Sequence, residues 1–205
     1  MPELRLEGIS NGLQAPWSLT LASSETVTLS GPSGSGKSRL LRAIIDLDPN
    51  TSGDAWINDT QRSLTPAFEW RRMAGYLPAV SHWWEDHVSA HFPSRISIEL
   101  ASLGLDASLF KSPVSHLSSG EKQRLAIIRL LANQPRALLL DEPTANLDAH
   151  HTSVVEELIS EYQQANATPV IWITHDKSQQ QRVGDRHFES RNGEILLAAS
   201  RQEEQ

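Results

Sequence analysis

The sequence predicts an α/β fold: a mostly parallel sheet with polar loops at its strand ends. Three observations lead there. Short β-rich runs alternate with segments of helical spacing along most of the chain. Two runs, "ALLLDE" at 137–142 and "VIWIT" at 170–174, are apolar almost throughout, as strands covered on both faces are. A glycine-rich loop, "GPSGSGKS" at 31–38, lies between a strand and a helix.

Taken in order, "ELRLEGI" and "WSLTLA" alternate apolar and polar positions and read as strands. They open an N-terminal antiparallel β subdomain, and the later "DAWIND" reads as another short strand. "TVTLS" is a short strand that runs into the glycine loop. "RLLRAII" then sets Leu40, Leu41, Ile44 and Ile45 on one side of a helix. Asp48, Pro49, Asn50 and Gly53 mark turns, and Arg71 to Tyr76 leads into a further strand. From Ser81 to His116 the pattern changes. "HWWEDHVSAHF", "RISIELASLG" and "DASLF" are short segments punctuated by Gly104, Ser108 and Pro113, and we read them as a short inserted helical subdomain. With the next helix it spans approximately 80–133 of a chain read as one domain, 1–205. That helix is "SSGEKQRLAIIRLLANQP", which Ser118 or Ser119 can cap and which has Glu121 in its first turn. "TSVVEELISEYQQANA" is amphipathic. The remainder reads as a helix end, a strand, a turn at Asn192-Gly193, a last strand and a frayed polar tail, "SRQEEQ".

Composition narrows the function classes. The 205 residues are 39% apolar, enough for a core, and lack cysteine, which removes disulfides and thiolate metal sites. A net charge of -7 argues against a nucleic-acid partner. No apolar run has the length of a membrane span, and the N-terminus has no signal-peptide pattern. The expectation is a cytoplasmic protein, able to sit on the inner face of a membrane by binding a membrane partner.

The loop Gly31, Pro32, Ser33, Gly34, Ser35, Gly36, Lys37, Ser38 fills the G-x-x-x-x-G-K-[ST] pattern in its required strand–loop–helix context. The glycines let successive amides point inward at a phosphate, and the helix start adds partial positive charge. Lys37 can reach the β- and γ-phosphates, and Ser38 can ligate Mg2+. Arg39 follows directly. Asp141 and Glu142 end a buried strand, where ligands bind in such sheets. Asp141 suits Mg2+, and Glu142 suits polarisation of an attacking water; a plain capping role for Glu142 is the alternative. Of the eight histidines, His175 alone ends an apolar strand, and it could bond a γ-phosphate. His150 and His151 read as exposed residues at a helix start.

Together these parts resemble the ATP-binding cassette (ABC) ATPases over nearly the whole chain. The most specific stretch is "LSSGEKQRLAIIRLLANQPRALLLDEPTANLD", 117–148, similar to the family's signature, Walker B strand and D-loop in order; "ITHD" is similar to its switch segment. The resemblance implies a P-loop NTPase core and an Mg2+-dependent ATPase. It implies a head-to-tail dimer with a second copy, each ATP lying between the phosphate loop of one and the signature of the other. It implies that Ser118, Ser119 and Gly120 face the partner's γ-phosphate and that Asp148 sits near the partner's site. Glu142 would be the general base, His175 would position γ-phosphate and water, and an integral membrane permease would convert the cycle into transport. The chain's general look is similar to short bacterial cassette subunits, including metal or iron exporters. Alternatives are a cassette ATPase without transport and an ATP-dependent regulatory or interaction protein.

Three departures stand out. Ser119 and Glu121 replace the usual second glycine and glutamine of the signature. No aromatic residue stands at Asn11 to Leu13, where the family stacks one on adenine; Leu13 could supply an apolar contact, and Trp17 lies in the next strand. "YLPA" at 76–79 stands where the family has Y-x-x-Q, so Ala79 offers no side-chain donor or acceptor. Beyond it, Trp83 and Trp84 fall where the family receives its membrane subunit. One ring facing in and one facing out is a natural arrangement.

Overall fold

The structure, a computed structural model, describes residues 3–49, 51–92 and 100–200. In chain order, β1 (Leu4–Ser10), β2 (Trp17–Leu21) and β3 (Thr26–Ser30) precede α1 (Lys37–Ile44). Next come β4 (Ser52–Ile57), β5 (Thr60–Gln61), α2 (Ala67–Met73) and β6 (Ala74–Leu77). Then follow α3 (Ser119–Leu131), β7 (Ala137–Asp141), α4 (Ala149–Asn166), β8 (Val170–Ile173), α5 (Lys177–Val183), β9 (Arg186–Arg191) and β10 (Glu194–Ser200).

Among the described residues the strands form two sheets. The smaller is antiparallel, in the order β2-β1-β4-β5. Its register pairs Leu4 with Leu21 and Ile57, and Leu6 with Leu19 and Ala55. All six side chains are buried, so period-2 alternation turns one face of this sheet to the core. The larger sheet runs β10-β9-β3-β8-β7-β6, parallel from β9 to β6, with β10 folded back antiparallel. That hairpin turns at Asn192 and Gly193, both at positive φ, as a tight two-residue turn requires.

The central strands are apolar throughout because each feeds two cores. Leu139 of β7 and Ile171 and Ile173 of β8 face α1 and the small sheet. Leu138, Leu140, Val170 and Trp172 face the opposite way, toward Leu125 and Ile128 of α3 and Val155 and Ile159 of α4. Burial on both faces leaves only the strand ends to carry polar chemistry. β3, β7 and β8 are parallel neighbours, so the phosphate loop, Asp141 and the segment holding His175 emerge along one edge.

Two elements refine the sequence expectation. The run into β6 contains α2, which starts after Pro66 and has Glu69 in its first turn. It is held by Trp70, fully buried, whose indole Nε1–H donates to the Ile44 carbonyl at 2.9 Å. The described part of 81–116 contains 3-10 turns at Val88–His91, Leu100–Leu103, Ala107–Lys111 and Val114–His116, not α-helices. Asp106 caps one by accepting from the Ser108 amide, and Pro113 ends it before the next. Residues 95–99 of "RISIELASLG" and residues 201–205 of the tail lie outside the described residues.

Removing Trp70 opens a cavity between α1 and α2 and leaves the Ile44 carbonyl unpaired. Trp70→Ala is expected to cost about 3–5 kcal/mol in urea unfolding, and Trp70→Phe distinctly less.

Candidate nucleotide-binding site

The phosphate loop is shaped by contacts behind it as much as by its glycines. Gly31 has φ 136°, and a Cβ there would lie 2.6 Å from the Ser190 carbonyl oxygen of β9, so the loop passes too close to that strand for any other residue. Gly36, at φ 92°, is the N-cap of α1, and its carbonyl accepts from Asn11 Nδ2 at 2.8 Å. Asn11 is itself buried, and its Oδ1 accepts from the Leu13 amide at 2.9 Å. Gln14 Nε2 donates to Ser190 Oγ at 3.0 Å. The β1–β2 connection is thereby fixed against the loop. No sequence pattern marks Asn11, Gln14 or Ser190 as supports of the loop, because only the fold brings them beside residues 31–36.

A cavity of about 330 Å3 opens here. Leu13, Ser33, Gly34, Gly36, Lys37, Ser38, Arg39, Asp141, Glu142 and His175 line it. The loop, the acidic strand end and the histidine, scattered over more than 140 positions of sequence, thus meet at one place. Lys37 is buried, and its ammonium donates to the carbonyls of Gly31 at 2.8 Å and Pro32 at 2.9 Å. Burial lowers its pKa, while the charges of Glu142 and Asp141 act to raise it. Asp141, 4% exposed, has its pKa raised by burial; the hydroxyls of Ser38 and Tyr76 and the charge of Lys37 act the other way. Tyr76 Oη lies 3.5 Å from Asp141 Oδ2.

Glu142 follows in the left-handed region, at φ 47°, with its amide donating to the Ile173 carbonyl at 3.0 Å. That turn swings its carboxylate toward β8, where His175 Nε2 lies 3.2 Å from Oε1. Both side chains are partly exposed, so a water can reach the pair. Ser38 and Asp141 form a hydroxyl–carboxylate pair of hard oxygen donors beside the phosphate loop. That set fits Mg2+, which takes few protein ligands and completes its shell with phosphate and water oxygens. Arg39 lines the cavity while its Nε donates to Asp48 at 3.1 Å.

Leu13, half exposed at the cavity edge, is the apolar residue available to an adenine ring. Trp17 is not, since it packs edge-on against Phe188 at 5.6 Å, inside the core.

Ser118, Ser119, Gly120 and Asp148 do not line this cavity. Ser118 caps α3 in a full capping box. Its Oγ accepts from the Glu121 amide at 3.2 Å, and Glu121 Oε2 accepts from the Ser118 amide at 2.8 Å and hydroxyl at 2.7 Å. The carboxylate that replaces the usual glutamine is therefore engaged in its own helix start. Asp148 caps α4, accepting from the His151 amide at 2.8 Å and facing its Nδ1 at 2.7 Å. His151 is thus tied to Asp148, not simply exposed; His150 is exposed.

Beyond Ala79, Trp83 faces in and Trp84 faces out, the latter 68% exposed. The Arg129 guanidinium lies 4.5 Å over one ring and 5.0 Å over the other. His91, buried behind them, accepts from the amides of Trp84 and Glu85 through Nε2, both at 3.0 Å. Arg129 and His91 were not sequence candidates; only the fold brings them against the two indoles.

The fold and cavity define a nucleotide-binding α/β protein of the P-loop kind. Comparison with known proteins sharpens this. The ABC transporter family model matches residues 15–145, and the chain belongs to that family. It is an ATP-binding and ATP-hydrolysing subunit of an ABC transporter. The lipoprotein-releasing system ATP-binding protein LolD of Psychrobacter arcticus is 34% identical over 195 residues, covering 85% of each chain. In fold, the chain matches the structure of a bacterial Atm1-family ABC exporter with ATP bound, at a TM-score of 0.78 and 21% identity. The match covers 95% of this chain and 38% of the exporter's, so this chain corresponds to little over a third of that protein. No helix among the described residues is long and apolar enough to cross a membrane.

The capping box yields a test with a pH sign. Bonds from the Ser118 hydroxyl and amide hold the Glu121 carboxyl below its usual range. Its stabilisation is therefore full above the ordinary carboxylate value and is lost as pH falls through the depressed one. Glu121→Ala is expected to lower stability at neutral pH by about 0.5–1 kcal/mol in urea unfolding. The gap to the parent should close below about pH 4.

Proposed function

We propose that this chain hydrolyses Mg2+·ATP at the cavity between the phosphate loop and the ends of β7 and β8, and that it does so as a head-to-tail dimer bound to a membrane permease. The observation that carries the reading is the convergence of Lys37, Ser38, Asp141, Glu142 and His175 on that one cavity.

The roles follow from chemistry. The loop amides and the start of α1 receive the phosphate chain, and the Lys37 ammonium exchanges its bonds to Gly31 and Pro32 for bonds to β- and γ-phosphate oxygens. Mg2+, held by the Ser38 hydroxyl and the Asp141 carboxylate, would offset phosphate charge when bound. Glu142, partly exposed and open to water, takes a proton from the attacking water as general base. His175 Nε2, 3.2 Å from Glu142 Oε1, flanks the carboxylate and limits its orientation, and it lies close enough to meet the γ-phosphate. Leu13 covers adenine in place of a stacked ring.

The dimer reading is supported by the location of Ser118, Ser119 and Gly120. They form the start of a thirteen-residue helix, with Ser118 and Ser119 exposed, yet they line no part of their own chain's cavity. A second copy turned head to tail would bring them, with Asp148, to the γ-phosphate of the first.

The permease reading is supported by a second cavity, of about 480 Å3, between β6, α3 and the tryptophan loop. Tyr76, Leu77, Pro78 and Trp84 give it an apolar floor and wall, and Arg71, Arg72 and Arg129 are its charged residues, with no carboxylate among its lining. In an acidic chain this groove suits an amphipathic helix of the membrane subunit that carries acidic residues. Such a subunit would keep the chain at the inner face of the membrane. The similarity to LolD, the ATP-binding protein of a lipoprotein-releasing system, makes a lipoprotein-releasing transporter one reading of the system, and a metal or iron exporter is the other.

Two experiments test this. Glu142→Gln should lower steady-state ATP hydrolysis by about 100-fold or more while retaining ATP binding, and should shift to a dimer on gel filtration with ATP. Hydrolysis equal to the parent's would sink the assignment of the base. Separately, Trp84→Ala should weaken copurification with the membrane subunit at unchanged melting temperature, whereas Trp83→Ala should lower the melting temperature by several degrees.

A further inference from the structure

Gln123 is a buried polar residue that the reading above does not use. It lies on α3, 3% exposed, two residues past Glu121. Both ends of its amide are engaged. Nε2 donates to the Pro143 carbonyl at 3.1 Å, and Oε1 accepts from Ser81 Oγ at 3.2 Å. Pro143 directly follows Glu142, in the turn that begins at positive φ. Ser81 stands two residues after Ala79 and two before Trp83. One side chain therefore joins the turn that holds Glu142 to the loop that holds the tryptophans, and Ala79 itself contributes nothing polar to that junction.

We propose that Gln123 is a positioning residue that transmits the nucleotide state from the Glu142 turn to the Trp83–Trp84 loop through the bridge Pro143–Gln123–Ser81. The inference rests on the ATPase reading above. A buried amide that loses a partner bears the desolvation cost of the freed group. A shift of the Glu142 turn therefore either draws the Gln123 amide with it or breaks a bond. Neighbours on α3, Arg124 to Ile128, are buried and hold the helix backbone firmly, so the movement passes to the softer side, the loop at Ser81. Gln123 touches neither phosphate loop nor cavity, so its effect runs through position, not through contact with ATP.

The test is hydrogen–deuterium exchange on the full chain, with and without Mg2+·ATP, followed at 31–39 and at 79–92. In the parent, nucleotide should slow exchange at 31–39 and change it at 79–92. Ser81→Ala and Gln123→Met should keep the response at 31–39 and lose at least about five-fold of the response at 79–92. Ser81→Thr, which keeps the hydroxyl, should retain it; a merely structural role would not follow the hydroxyl in this way. Should Gln123→Met fail to fold, the Ser81 pair decides alone. A parental response at 79–92 that persists in Ser81→Ala overturns the proposal. So does a parent that responds only at 31–39, an outcome that leaves the nucleotide reading standing. A parent that responds at neither segment overturns both.

Discussion

Lys37 and Asp141 are opposite charges held at the mouths of neighbouring elements with little water around either. Burial alone would drive Lys37 to lose its proton and Asp141 to keep one, and each charge moderates the other's shift. The rest of the site depends on this balance. The ammonium is further satisfied by the Gly31 and Pro32 carbonyls, and the carboxylate by Ser38 and Tyr76. A polyanionic ligand with its cation would meet two groups already stripped of solvent, and an electrostatic contact made there is stronger than one made in water.

Such a balance needs a rigid frame, and the frame is the doubly covered parallel sheet. Leu139 and Ile171 are fixed from one face, Leu140 and Trp172 from the other, so the ends of β7 and β8 cannot drift apart. The phosphate loop is braced independently by the β1–β2 connection through Asn11 and Gln14, and by β9 through Ser190. The small antiparallel sheet thus serves the site at a distance: it carries Asn11 and Leu13 to the loop and shields the core beneath α1.

The tryptophan loop is built on a different principle. Its described part lacks regular helix, and its order comes from local polar contacts. His91 receives two amides, Arg129 spans two indoles and donates to the His82 carbonyl at 3.1 Å, and Ser81 meets Gln123. Local bonds of this kind open at lower free energy than a packed sheet. A segment of that kind, set between the nucleotide cavity and a cationic groove, can respond to one and be read at the other.

Much of this was legible in the residues themselves. The strand–loop–helix at 26–44, the two apolar strands, the capped helix after Ser118 and the Asn192-Gly193 hairpin follow from local periodicity and backbone chemistry, which neighbours in sequence decide. Lys37, Ser38, Asp141, Glu142 and His175 were legible as site candidates because each sits at a strand end or in a loop with a recognisable pattern. What the sequence could not decide depends on partners far along the chain. That Trp17 packs against Phe188 is decided by a partner 171 positions away. Glu121 was legible as a first-turn acid, and the structure adds its bonds to the Ser118 amide and hydroxyl. The placement of Asn11 on Gly36, of Gly31 on Ser190 and of Gln123 between Ser81 and Pro143 joins residues that no spacing rule connects. Local sequence determines which elements form and what chemistry their ends carry. Only tertiary packing decides which buried polar group meets which, because a buried donor is paired by whatever acceptor the fold brings within reach.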